Sequence, residues 1–140
     1  MRLDPDACRQ RIGPSGHGVL GSVHAERGVD AVPVVFVIRD ERVVIPIDTV
    51  KPKSGDRLQR LVNLSADDRC VLLVDHYDDD WSQLWWVRIH GRGHESAPTA
   101  DQLEALAESF PAYRSRGAVT SAIVMVIDAV TGWSAETDLV

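Results

Sequence analysis

The segment Thr49-Val50-Lys51-Pro52-Lys53-Ser54-Gly55-Asp56-Arg57 gathers cations where a predicted strand runs into a predicted helix. Helix N-termini carry unpaired N–H groups and a partial positive charge, so they attract anions. With Arg60 added, four cations fall within ten residues of a chain whose net charge is −6. That local excess suits a phosphate, which takes charge-assisted hydrogen bonds from Lys and Arg. If the helix begins near residue 54, Lys53, Arg57 and Arg60 share one face at i, i+4 and i+7. The same spacing also describes a solvated basic face, partly balanced by Asp56 and Asp67.

A second group is Asp75-His76-Tyr77-Asp78-Asp79-Asp80-Trp81, followed by Trp85-Trp86-Val87-Arg88. Three of the four tryptophans lie within six residues, which suits a planar ring ligand or a subunit interface. Ordinary core is the alternative, but Trp85 and Trp86 are adjacent on a strand and cannot serve the same core. Asp78-Asp79-Asp80 lacks the glycine and terminal glutamate of a calcium loop. It reads as a solvated turn, or as a cap with Trp81 packed inward.

Other motifs fall away on context. Gly16-His17-Gly18-Val19-Leu20-Gly21 matches G-x-G-x-x-G, with Glu41 twenty residues on. A dinucleotide site needs a strand before that motif and a helix after it. Here a helix precedes it and β-branched strand residues follow. His90, His94 and Glu95 are separated by Gly91 and Gly93, which break any helix that would join them. They read as surface residues near a strand end, and no metal site is assigned. No Gly-x-Ser-x-Gly elbow is present. No catalytic acid–base pair is assigned; His76, Tyr77 and ordered water are the candidate proton donors.

The elements that must position these residues follow from periodicity. Residues 4–12 suit a short helix, and Gly13 to Gly18 a break. Residues 19–25, 31–39 and 42–48 read as strands joined by turns at Glu26-Arg27-Gly28 and Asp40-Glu41. In the second, Val32, Val34, Phe36 and Ile38 alternate onto one face, with Val35 and Val37 opposite. Pro46 places the end of the third at a sheet edge or bulge. Leu58, Leu61 and Val62 set a helix over 54–66. Strands follow at 70–76 and 84–90, with Trp85, Val87 and Ile89 on one face and Trp86 and Arg88 on the other. Thr99 to Gln102 is a capping-box start for a helix that Pro111 ends. Residues 121–128 make a last strand. Six strands and two or three helices, without regular alternation, predict an α+β antiparallel barrel.

The 140 residues fit one domain, 1–140. The acidic balance argues against general nucleic-acid binding, which needs an excess of cations. No run approaches the ~20 apolar residues of a membrane span. No apolar run follows Met1-Arg2-Leu3, so no signal peptide is expected. Cys8 and Cys70 are then expected as free thiols in a reducing cytoplasm.

The runs Val44-Ile45-Pro46-Ile47-Asp48, Lys51-Pro52-Lys53, Arg57-Leu58-x-Arg60-Leu61, Val71 to Trp81 and Leu84 to Arg88 resemble the pyridoxamine-phosphate-oxidase-like superfamily. The Asp-His-Tyr-Asp-Asp-Asp-Trp run with Trp-Trp-Val-Arg is most similar to a branch of short, deazaflavin (coenzyme F-420) dependent enzymes. The resemblance covers about residues 18 to 128. It implies a split β-barrel of the FMN-binding kind, working as a homodimer with cofactor at the subunit interface. It implies a phosphate held by Lys51, Lys53 and Arg57, with Thr49 as a hydroxyl donor. It implies a ring against Pro33-Val34-Val35 and Ile47-Asp48, covered by the partner's region from His76 through Trp81 and Trp85 to Trp86. The chain departs from the family at glycine-rich Gly13 to Gly21, where the family enters its first strand from an Arg/Ala-rich helix. The turn before the buried strand reads Asp67-Asp68 in place of the family's Asn-Pro or Asp-Pro. The chain also lacks the C-terminal extension of true pyridoxamine phosphate oxidases, which argues against vitamin B6 oxidation. The implied activity is hydride transfer by F-420, or by FMN, to a small organic substrate. A non-catalytic flavin carrier, or a dimeric module that has lost its ligand, are the competing readings.

Overall fold

Two tight turns set the first three long strands. In the computed structural model, which describes residues 1–48, 58–115 and 117–135, β1 is Arg2–Leu3, α1 Pro5–Ile12, β2 Ser15–His24, β3 Gly28–Arg39 and β4 Arg42–Asp48. The β2–β3 hairpin closes at His24 and Gly28, whose φ of 93° favours glycine. His24 Nδ1 accepts from the N–H groups of Glu26 and Arg27, both at 3.1 Å. The β3–β4 turn puts Asp40 and Glu41 at φ of 50° and 61°, the left-handed pair of a two-residue hairpin. A bidentate pair from Arg9 to Glu41, at 2.8 and 2.7 Å, ties that turn to α1.

The rest of the chain completes the ring. α2 is Gln59–Ala66, β5 Arg69–His76, β6 Trp85–Ser96, α3 Ala100–Ser109 and β7 Val119–Ser134. Single 3-10 turns lie at Trp81–Gln83 and Pro111–Tyr113. The sheet runs β1-β7-β4-β3-β2-β5-β6, and β6 also pairs with β7. All pairs are antiparallel, so six strands close a barrel and β1 adds a short seventh beside β7. Each ring strand is paired on both sides over at least part of its length, which limits the free edge that templates aggregation.

Alternation divides two cores. Leu20, Phe36, Ile45, Leu72, Ile89 and Met125 point inward and are fully buried. Each such side chain contributes about 1.5–3 kcal/mol by leaving water. Outside the wall, Val37, Val44 and Ala122 meet Ala105 and Leu106 of α3. The expected capping box starts α3: Gln102 N–H donates to Thr99 Oγ1 at 3.1 Å, and Thr99 N–H to Gln102 Oε1 at 3.0 Å. Gly18 lets β2 lie close to β5, since a β-carbon there would sit 2.5 Å from the Leu73 carbonyl oxygen.

Several boundaries differ from expectation. β2 starts at Ser15, because the glycine-rich stretch is strand and pairs with β3 from Val37 back through Val34. β6 runs through Gly91 and Gly93 to Ser96, and β7 spans sixteen residues. The helix predicted from 54 begins at Gln59: Leu58 is its cap, with φ −56° and ψ 134°. Lys53 and Arg57, which the sequence sets on one face with Arg60, lie outside the described residues; Arg60 rides on the first turn of α2. Both thiols are buried, and burial pushes the Cys70 thiol up to about 12, which makes it inert. Among the described residues, no helix is long and apolar enough to cross a membrane.

Candidate cofactor site

Two prolines open the barrel wall. The recorded ladder between β3 and β4 covers Val37–Val44, Ile38–Val43 and Arg39–Arg42. Beyond it, Pro46 of β4 pairs only with Ala122 of β7, and a register shift follows between Ile47 and Asp48. Pro33 and Pro46 have no N–H to offer a ladder. The edge or bulge expected at Pro46 is this split.

A cavity of about 320 Å3 lies in the split, lined by His17, Pro33, Val34, Val35, Pro46, Arg60 and Tyr113. That volume is in the range of small-molecule sites. His17 reaches it because it pairs with Val35 across the β2–β3 hairpin. Tyr113 arrives from the 3-10 turn after α3, packed edge-on to Phe110 with centroids 6.0 Å apart. Arg60 comes from the first turn of α2. That helix is anchored by Leu61 and Leu64 in the core, and by Asn63, which donates to Ser22 Oγ and Asp30 Oδ2 at 3.0 and 2.9 Å.

Arg60 is chemically out of balance. Its Nε is buried and has no hydrogen-bond partner among the described residues. Burial pulls its guanidinium below the usual arginine range. A buried donor left unpaired costs about 1–3 kcal/mol. Pro33, Val34, Val35 and Pro46 give it apolar walls, so the cavity offers faces for a ring, and Arg60 offers a cation for an electron-rich group. The residues fit a flavin-type ring on these grounds.

Of the expected site residues, the split brings together Pro33, Val34 and Val35. Ile47 is 9% exposed and belongs to the barrel interior. Thr49, Lys51, Lys53 and Arg57, with the Asp48 side chain, lie outside the described residues. The tryptophan group forms a separate site. His76 stacks on Trp85 at 6.2 Å and 20°, and Arg88 lies 4.6 Å over the Trp86 ring. Trp81 is not packed inward: it is 73% exposed and Tyr77 78%. With Asp78 and Asp79 they line a cavity of about 460 Å3. The acidic run is a turn and a cap, as its sequence suggests. Asp80 N–H donates to Asp78 Oδ1 at 2.9 Å, and Asp80 Oδ1 accepts from Ser82 N–H at 3.0 Å. The cap pushes Trp81 outward because it starts a 3-10 turn whose residues are all outside the core.

Sequence reasoning did not single out His17, Pro46 or Tyr113 as lining residues, and it treated Arg60 only as one of a basic set. A signal for His17 existed: a hairpin closed between residues 24 and 28 puts 17 opposite 35.

No protein-family model and no curated protein matches the sequence. Solved structures do match along nearly the whole chain. An FAD-binding protein from Mesorhizobium loti superposes with a TM-score of 0.71 at 15% identity, covering 94% of this chain and 95% of that one. The FAD binding protein from Mycobacterium smegmatis gives 0.59 at 18% identity, covering 95% and 96%. A Corynebacterium glutamicum protein, provisionally named a pyridoxamine 5'-phosphate oxidase, gives 0.59 at 13% identity, covering 94% and 90%. The closed antiparallel barrel, split at its β3–β4 seam, agrees with these likenesses: the chain carries the split-barrel fold of the pyridoxamine-phosphate-oxidase-like proteins.

Proposed function

We propose that the protein is an oxidoreductase that holds a flavin-type cofactor in the β3–β4 split, with F-420 as the first candidate. The carrying observation is Arg60, a cation whose buried Nε has no partner among the described residues, in a cavity walled by Pro33, Val34 and Val35. When bound, the cofactor supplies the hydride chemistry. The chain's residues bind and orient it: the apolar wall takes the ring face, and Lys51, Lys53 and Arg57, with Thr49, take the phosphate. F-420 is favoured by the likeness of the Asp75–Trp81 and Leu84–Arg88 runs to the deazaflavin branch. FMN or FAD is the competing choice, favoured by two similar structures named for FAD binding.

Titration of the purified protein with F-420, FMN and FAD, read by fluorescence at fixed salt, tests this. Micromolar binding of F-420 is expected, with FMN bound more weakly. Preference for a flavin moves the protein to that cofactor, and binding of none of the three removes the reading. A non-catalytic carrier is the second reading, favoured because, among the described residues, His17 and Tyr113 are the only proton-exchanging groups beside Arg60 in the lining. Turnover of the reduced complex with an electron-poor organic acceptor excludes the carrier.

We place a second copy of the chain over the site. The support is the pair Tyr77 and Trp81, large aromatic groups left in water on a loop held by its own turn. Light scattering after size exclusion is expected to give a dimer, and a strict monomer removes the shared site.

A further inference from the structure

We infer that Arg60 is a specificity residue that binds the electron-rich carbonyl edge of the cofactor's ring, and not its phosphate. The inference rests on the cofactor reading above and assigns one contact within it. Arg60 shares its cavity with Pro33, Val34, Val35 and Pro46. A phosphate is a strongly hydrated anion and needs several donors at once. Beside Arg60 the described lining adds only His17 and Tyr113 as side-chain donors, since the prolines supply no N–H and the valine side chains supply none. A flat heterocycle has the opposite demands. Its two faces prefer apolar contact, and a carbonyl edge needs only one or two donors.

Arg60 meets the second demand in its geometry. Its Nε–H is buried and has no partner among the described residues, so a ring oxygen or nitrogen there gains a bond without displacing an existing one. The guanidinium carries further donors in the same plane, which suits an edge and not a sphere. His17 and Tyr113 lie on the same lining and can share the edge. The sequence holds other cations for the phosphate in Lys51, Lys53 and Arg57.

Riboflavin, which has the ring of FMN without its phosphate, separates the two roles. Dissociation constants for FMN and riboflavin are measured on the full chain and on Arg60→Met. Both ligands are expected to weaken by the same factor, about 10- to 100-fold. Arg60→Lys keeps the charge but loses the planar fork, and is expected to weaken both in equal proportion. Both variants should melt at or above the parent without ligand, because a buried Nε–H with no partner among the described residues is removed. Loss of FMN binding alone assigns Arg60 to the phosphate and overturns the inference. Unchanged binding of both ligands overturns it too, as does a parent that binds FMN but not riboflavin. A parent that binds no flavin and no F-420 fails at the earlier step, the cofactor reading itself.

Discussion

Gly91→Ala is expected to lower stability by about 3 kcal/mol or more, read as a lower urea midpoint at unchanged slope. Gly91 lies where the β6–β7 register shifts, between His90 and Gly91, on the seam that closes the barrel. A β-carbon there would overlap the backbone oxygen of Val126 and press on the Met125 side chain at 3.0 Å. Backbone oxygens in a paired strand cannot swing aside as a side chain can, so the seam itself must move. The neighbouring exposed position provides the control: His90→Ala should change stability by less than about 0.5 kcal/mol. A Gly91→Ala protein as stable as its parent would mean that the barrel closes in another register.

Lys51→Ala combined with Lys53→Ala is expected to weaken cofactor binding by about 3–6 kcal/mol, from two charge-assisted hydrogen bonds of roughly 1.5–3 kcal/mol each. The ligand-free melting temperature should stay where it was, because lysine side chains are rarely part of a core. The effect should shrink as salt rises, since screening weakens the attraction between cations and a phosphate. Binding as tight as the parent's would remove the phosphate from this segment. It would leave Arg60 as the charged group on which the site depends. The double variant and Arg60→Met differ in a second way: the lysines should matter for FMN and not for riboflavin.

Local signals carried much of the fold. The turn expected at 26–28 and found at 25–27, the turn at 40–41, the alternation in β3 and the capping box of α3 follow short-range chemistry. Errors came where tertiary closure overrides local preference. Gly91 and Gly93 read as helix breakers beyond a strand ending at residue 90, yet a tightly closed barrel needs glycine where strands press together. The two-residue β1 has no periodicity to detect and exists only because β7 offers it an edge. The site divides in the same way. Pro33, Val34 and Val35 could be placed from the resemblance, and the split from Pro46. The burial of Arg60 could not be read from spacing, because it depends on where α2 starts and which side of the barrel it covers.

The position of β7 sets the order in which the molecule can assemble. It joins β4 on one side and β6 on the other, and its far end takes β1. Met1 and Ser134 exchange two hydrogen bonds: the Met1 ammonium donates to the Ser134 carbonyl at 2.6 Å, and Ser134 N–H donates to the Met1 carbonyl at 2.9 Å. During synthesis the earlier strands can form hairpins and a curved, open sheet, but the ring stays unclosed until Ser134 has left the ribosome. Closure then joins the most distant parts of the chain, which makes it slow compared with helix and hairpin formation. Until that moment β4 and β6 expose unpaired backbone and the core side chains that Ile123 and Met125 of β7 later cover. A nascent chain stalled before residue 119 would be an aggregation hazard, whatever the stability of the finished barrel.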